Sequence, residues 1–256
     1  MGQSNCNCAK NFYNSQTMMW NQNPNYVEQA VKQSLFVRTM NYTALWTVLY
    51  GIFVALLVGT GLDRVFANPV ISVILALAVM GGSFLLRDPL NASKGLLYAY
   101  GAFTSFALAA ISSFFIHYVA VTHQGILLSA LATTFIIGAA TVFAARSINI
   151  GIDKAQAITK FLIIVGLAAF VASLLNLIFF KSGVFGLIIA IIFLVWSVGA
   201  LFITVNQLDQ IEAMVGDNPE ILDRIAVWES VGVFILFYDI FISLLQILLS
   251  LFGNEE

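Results

Sequence analysis

Charged side chains are scarce in this sequence: Asp, Glu, Lys and Arg make up 9% of its 256 residues, against roughly a quarter in a typical soluble domain. Eleven basic residues against thirteen acidic ones give a net charge of −2, so the chain has no basic field with which to hold nucleic acid. Apolar residues make up 60% of the chain, and its mean hydropathy is +0.93. This composition excludes a soluble protein and favours one that lies within a lipid bilayer.

Residues that usually carry enzyme chemistry or hold cofactors are also few. The only two cysteines, Cys6 and Cys8, form one Cys-x-Cys in a polar segment that we expect to face a reducing compartment. The only two histidines, His117 and His123, are too few for a metal site and are interpreted as interfacial anchors. The sequence contains no phosphate-binding glycine loop and no serine with a matching base in a later span. We therefore predict no enzyme activity and no cofactor, and the sequence identifies no metal ligands.

Long apolar runs dominate what is present. A helical crossing needs roughly 20 residues, and the runs do not alternate as the strands of an outer-membrane barrel do. The sequence therefore predicts an all-α polytopic membrane protein, a bundle of seven transmembrane helices. The predicted spans are 44–62, 69–86, 95–116, 126–145, 161–180, 184–205 and 227–252.

The first forty residues differ from the rest, because Asn, Gln and Ser dominate as far as Tyr26. We predict two parts, a cytosolic tail over residues 1–40 and a transmembrane domain over residues 41–256. The tail is expected to be disordered at first and then to form an interfacial helix near residues 27–40. Nine Lys and Arg residues lie in the tail and in every second connection, against two on the other side, which predicts a cytosolic N-terminus and an outer C-terminus. We favour a prokaryotic inner membrane over the endoplasmic reticulum.

Asp239 is the most informative residue, because it lies near the middle of the last span. An ionised acid there costs about 3 kcal/mol on insertion scales, so intramembrane acids are functional by default. Ser243 and Gln246 follow at helical spacing and predict a polar stripe that faces the interior. The alternative is a protonated Asp239 that merely joins two helices.

Two further charged residues lie at span ends. Asp209 follows the sixth span closely enough to face inward. It begins an acidic connection that is either a cation-attracting mouth or an ordinary solvated loop. The acids of this connection are Asp209, Glu212, Asp217, Glu220, Asp223 and Glu229. Arg87 ends the second span, where its guanidinium reaches either inward to a carboxylate or outward to lipid phosphate.

Several segments, in this order and spacing, resemble the transmembrane Bax inhibitor motif family. The resemblance runs from about Val31 to Asn254. It rests on the third and fourth spans (Tyr100 to Arg146, with Thr134-Phe135-Ile136-Ile137), on Leu174-Leu175-Asn176, and on Leu236-Phe237-Tyr238-Asp239 through Leu251-Phe252-Gly253-Asn254. The resemblance implies a seven-helix calcium leak channel with a pH-sensing pair of aspartates on the sixth and seventh helices and a nearby arginine.

Carried over residue by residue, the resemblance assigns Asp239 to the seventh-helix acid and Arg87 to the arginine. The sixth-helix acid is missing, because Gln207 aligns with it and Asp209 lies two residues further on, about 200° around a helix. We expect a Gln207 to Asp239 hydrogen bond in place of the carboxylate pair, and a weaker or displaced pH response.

The sequence therefore predicts a pH-sensitive passive calcium (cation) leak channel of the Bax inhibitor type, gated near Asp239. The site comprises Asp239, Gln207, Asp209, Arg87, Ser243 and Gln246. Its expected partners are calcium or other cations, the lipid bilayer, and other membrane proteins. The alternatives are a non-conducting regulator of membrane stress or quality control that acts through protein partners, and a proton-coupled transporter.

Overall fold

The structure is a computed structural model that describes residues 34–86, 88–148, 150–176, 183–216 and 218–253. Within these ranges every regular element is helical, which confirms the predicted all-α class. Six helices are long and apolar enough to cross a membrane, and Pro69–Leu85 is a shorter apolar helix. The helices are α1 Leu35–Thr60, α2 Asp63–Phe66, α3 Pro69–Leu85, α4 Lys94–Thr122, α5 Gln124–Ser147, α6 Ile152–Leu175, α7 Gly183–Val215 and α8 Pro219–Phe252.

Helix α8 begins where the sequence places a cap and runs without a break. The Asn218 side chain accepts hydrogen bonds from the backbone N–H groups of Glu220 at 3.1 Å and Ile221 at 3.3 Å, and Pro219 occupies the first helical turn, where its missing N–H costs nothing. The 34 residues of α8 span about 50 Å. This helix packs against α1, α4, α5 and α7, so it is central to the bundle.

Helices α1 and α7 extend beyond their predicted spans at the same end of the bundle. Helix α1 already begins at Leu35, so residues 35–40 belong to the first span's helix, whereas residues 1–33 lie outside the described part. Helix α7 continues ten residues past Val205 and ends before Gly216, whose φ of 73° suits glycine. The two extensions meet, because the Leu35 N–H donates a 2.9 Å hydrogen bond to the Glu212 carboxylate.

The two ends of the bundle are named here by their acids. The Asp223 end holds the start of α1, the end of α7 and the start of α8, while the Asp63 end holds α2 and the C-terminus of α4. Three core clusters follow α8 along its length. The buried α8 residues of these clusters are Leu222, Ile225, Ala226, Val227, Val231, Val233, Phe234, Leu236, Ile240, Phe241, Leu244 and Leu245.

Candidate functional site

Asp239 lies well inside the bundle, twenty residues after Pro219, which is about 30 Å along α8. Its side chain is half-buried. The preceding residue, Tyr238, contacts the Tyr50 ring of α1 edge-on at 5.7 Å between centroids. The Tyr50 hydroxyl lies 2.9 Å from Ser112 Oγ of α4. Three helices thus come together at the depth of Asp239.

The Asp239 carboxylate makes no hydrogen bond or ion pair with any residue that the structure describes. Four polar side-chain atoms in the described ranges are both enclosed and unpaired: Thr39 Oγ1, Asp63 Oδ1, Thr104 Oγ1 and Arg224 Nε. The Asp239 oxygens do not belong to this group, so they border space that a water-sized sphere can reach. An unpaired acid within a bilayer is costly beside lipid and much less so beside water.

Gln207 is half-buried on α7, and no hydrogen bond joins it to Asp239. The helix contacts explain why. The hydrogen bond between Leu35 and Glu212 marks the Asp223 end on both α1 and α7. Gln207 lies five residues before Glu212, which is about 8 Å along α7 from that mark. Tyr50, which contacts Tyr238, lies fifteen residues past Leu35, about 22 Å along α1. The two polar side chains are therefore separated by about 15 Å along the bundle, far beyond hydrogen-bond reach.

Asp209 is turned away from α8. Helix α7 stays helical through this region, so the angle of about 200° between Gln207 and Asp209 is kept. The Asp209 carboxylate is 55% exposed and lies 3.5 Å from Arg146 Nη2. Both residues line a cleft of about 310 Å³ at the Asp223 end, together with Asn206 and Gln210. Asp209 thus belongs to a surface ion pair and not to the surroundings of Asp239.

The rest of the predicted stripe is divided between the core and the surface. Ser243 is buried, with 4% of its surface exposed, while Gln246 is exposed. Arg87 lies outside the described residues. Of the predicted site residues that the structure describes, Ser243 alone is both buried and on the same face of α8 as Asp239.

A family model matches almost the whole chain. Its description is "Inhibitor of apoptosis-promoting Bax1", and it matches residues 32–254. The chain belongs to the Bax inhibitor family. No individual curated protein matches the chain. The family match covers all of the described helices and confirms the resemblance drawn from the sequence.

This Bax inhibitor family chain has a polar hub at its Asp223 end. Asp223 Oδ1 accepts a 2.7 Å hydrogen bond from the Tyr42 hydroxyl, which itself accepts one of 2.7 Å from the Tyr98 hydroxyl. Lys94 forms an ion pair with Asp223 Oδ2, and Arg38 Nη1 lies 3.7 Å from Oδ1. A single carboxylate thus joins α1, α4 and α8. In the sequence, Asp223 is one acid of the acidic connection, and nothing there indicates these contacts.

We expect Asp223→Ala to lower the free energy of unfolding by about 1–2 kcal/mol, because the Tyr42 hydroxyl and two cations lose their partner at a carboxylate only 14% exposed. Glu220→Ala is the matched control on the same helix. Glu220 is 71% exposed and pairs only with Arg224 among the described residues, so its loss should cost less than about 0.5 kcal/mol. Thermal unfolding in detergent measures both, and equal effects would contradict the hub.

At the opposite end, this Bax inhibitor family chain has an acid–histidine pair. Asp63 is 1% exposed, and its Oδ2 lies 2.7 Å from His117 Nδ1. The pair joins α2 to α4, which are 54 residues apart in sequence. His117 therefore contacts a buried acid, whereas the sequence predicted only an interfacial anchor.

Proposed function

We propose that this Bax inhibitor family chain is a pH-sensitive passive leak channel for cations, calcium above all, gated near Asp239. The observation that carries the proposal is the unpaired Asp239 carboxylate, about 30 Å along the central helix and beside accessible space. Hard divalent cations are bound by carboxylate oxygens together with water. A wet acid at this depth offers such a cation a stopping point within the bilayer.

The pH response of this channel rests on Asp239 itself. A carboxylate pair shared with α7 is not available, since α7 carries Gln207 at the aligned position and that residue lies at another depth. Protonation of Asp239 removes a negative charge at that depth and shifts the balance between a closed and an open arrangement of the helices. The residues that close the pathway are those packed at that depth, including Tyr238 and Tyr50.

We place the Asp223 end in the cytosol and the membrane in a prokaryotic cell. Arg38, Lys94, Arg146 and Arg224 all lie towards the Asp223 end, whereas Arg64 lies at the Asp63 end. An excess of basic residues marks the cytosolic side of membrane proteins.

Purified full-length chain in liposomes that contain a calcium indicator tests the proposal. A leak channel equilibrates calcium down its gradient, at a rate that depends on pH and without an energy source. Accumulation of calcium against a gradient, driven by a proton gradient, would instead show a proton-coupled transporter. Liposomes with no calcium entry at any pH would contradict a channel and favour a regulator that acts through protein partners.

A further inference from the structure

Helix α8 carries a second acid, Glu229, within its packing stripe. Core residues recur along this helix at intervals of three and four, and Glu229 fills the place between Ala226 and Val233. These intervals put it on the face that packs against α7. Glu229 is half-buried, whereas every other member of the stripe is at most 7% exposed. These other members are Leu222, Ala226, Val233, Leu236, Ile240 and Leu244.

The Glu229 carboxylate has no partner among the residues that the structure describes. Its two neighbours in sequence are both engaged, since the Trp228 ring stacks on Tyr100 and Ser230 Oγ accepts a 2.8 Å hydrogen bond from Trp46 Nε1. The Glu229 oxygens are also absent from the enclosed unpaired atoms, so they border accessible space. An unpaired acid among core residues destabilises the packing of a helix. Helix packing therefore does not explain why Glu229 is at this position.

One open position on α8 lies between Glu229 and Asp239. Gly232 lies between them, about 60° around the helix from Glu229 and about 20° from Asp239. It is exposed, and a Cβ built on it would meet nothing within 4 Å. The two acids are ten residues apart, about 15 Å along the axis, and the space beside Gly232 lies on the way.

Glu229 lies at a depth close to that of Gln207. The residue after Glu229, Ser230, accepts through its backbone carbonyl a 3.3 Å hydrogen bond from Thr43, which lies about 12 Å past Leu35. Gln207 lies about 8 Å from the same end. The Gln207 amide of α7 and the Glu229 carboxylate of α8 therefore lie at similar depths in the bundle.

We propose that Glu229 is a second cation-binding carboxylate of this protein, which holds a hard divalent cation such as calcium between the Asp223 end and Asp239. The proposal rests on the proposed channel for its physiological role, but binding can be measured without flux. No three His, Cys, Asp or Glu side chains of the described residues come together to hold a metal. The bound cation therefore keeps most of its water shell.

Terbium binding to the full-length protein in detergent tests the site directly. Tb³⁺ replaces calcium at oxygen ligands, and excitation of a nearby tryptophan, here Trp228, sensitises its emission. We expect Glu229→Gln to weaken Tb³⁺ binding by on the order of tenfold, because affinity follows the charge of the ligands. Glu229→Asp keeps the charge but draws the carboxylate back by one methylene, so it should bind less tightly than the parent and more tightly than Glu229→Gln. Glu220→Gln, at an exposed acid on the same helix, should bind as the parent does.

The outcomes separate this site from the channel proposal. Binding that Glu229→Gln leaves unchanged, or a parent that shows no tryptophan-sensitised terbium emission, would overturn the Glu229 site. A parent that binds through Glu229 but passes no calcium in liposomes would keep the site and overturn the channel. If Glu229→Gln elutes as an aggregate, Glu229→Asp decides alone, since a carboxylate one methylene shorter that binds less tightly than the parent supports the site, and one that binds equally overturns it.

Discussion

Replacing Asp239 by Asn is expected to lower passive calcium flux into proteoliposomes by on the order of tenfold and to flatten its response to pH. Acidic side chains that line a pore attract cations and raise their rate of passage. Asparagine keeps the shape of the side chain but has neither charge nor titration. Because the Asp239 carboxylate makes no hydrogen bond or ion pair within the described ranges, the substitution removes no structural contact. The loss would therefore be a loss of function in a folded protein.

Asp209→Asn is the matched control for this prediction. It removes the same charge from the neighbouring helix, but Asp209 is 55% exposed and contacts Arg146 at the surface. We expect its flux and pH profile to equal those of the parent. A profile for Asp239→Asn that coincides with the parent's would show that Asp239 does not gate the pathway.

The fold could largely be predicted from the sequence, because bilayer thickness and the apolar runs set the number and type of the elements. The start of α8 was also predictable, since Asn218 and Pro219 form a local capping signal. The early start of α1 and the long end of α7 were not predictable. Each extension carries polar residues, and the Leu35 to Glu212 hydrogen bond that joins them spans 177 positions.

The site could be predicted only in part. Asp239 is evident from the sequence, because an acid within an apolar span is expensive wherever its neighbours lie. The expected Gln207 to Asp239 hydrogen bond, which the structure does not contain, followed from the family resemblance. That resemblance carries no information on how far α7 and α8 are shifted along each other. Glu229 was counted with the acidic connection, although its spacing from Ala226 and Val233 was a signal in the sequence itself.

The close approach of α1 and α4 depends on a glycine. A Cβ built on Gly101 of α4 would lie 2.6 Å from Cζ2 and 2.8 Å from Cε2 of Trp46. The indole cannot move aside easily, because Trp46 is 1% exposed and its Nε1 donates a 2.8 Å hydrogen bond to Ser230 Oγ of α8. Relief of the clash requires either the loss of that hydrogen bond in a buried site or the separation of two helices.

We therefore expect Gly101→Val to lower the free energy of unfolding by about 3 kcal/mol or more, the upper part of the range for overpacked cores, or to prevent assembly of the bundle. Gly51→Val on α1 is the control, since a Cβ at Gly51 meets nothing within 4 Å and valine forms helix at least as well as glycine does. Thermal unfolding in detergent, followed by circular dichroism, compares the two. Equal midpoints for both variants would mean that Trp46 is not fixed between α4 and α8, and the position of the central helix would need another explanation.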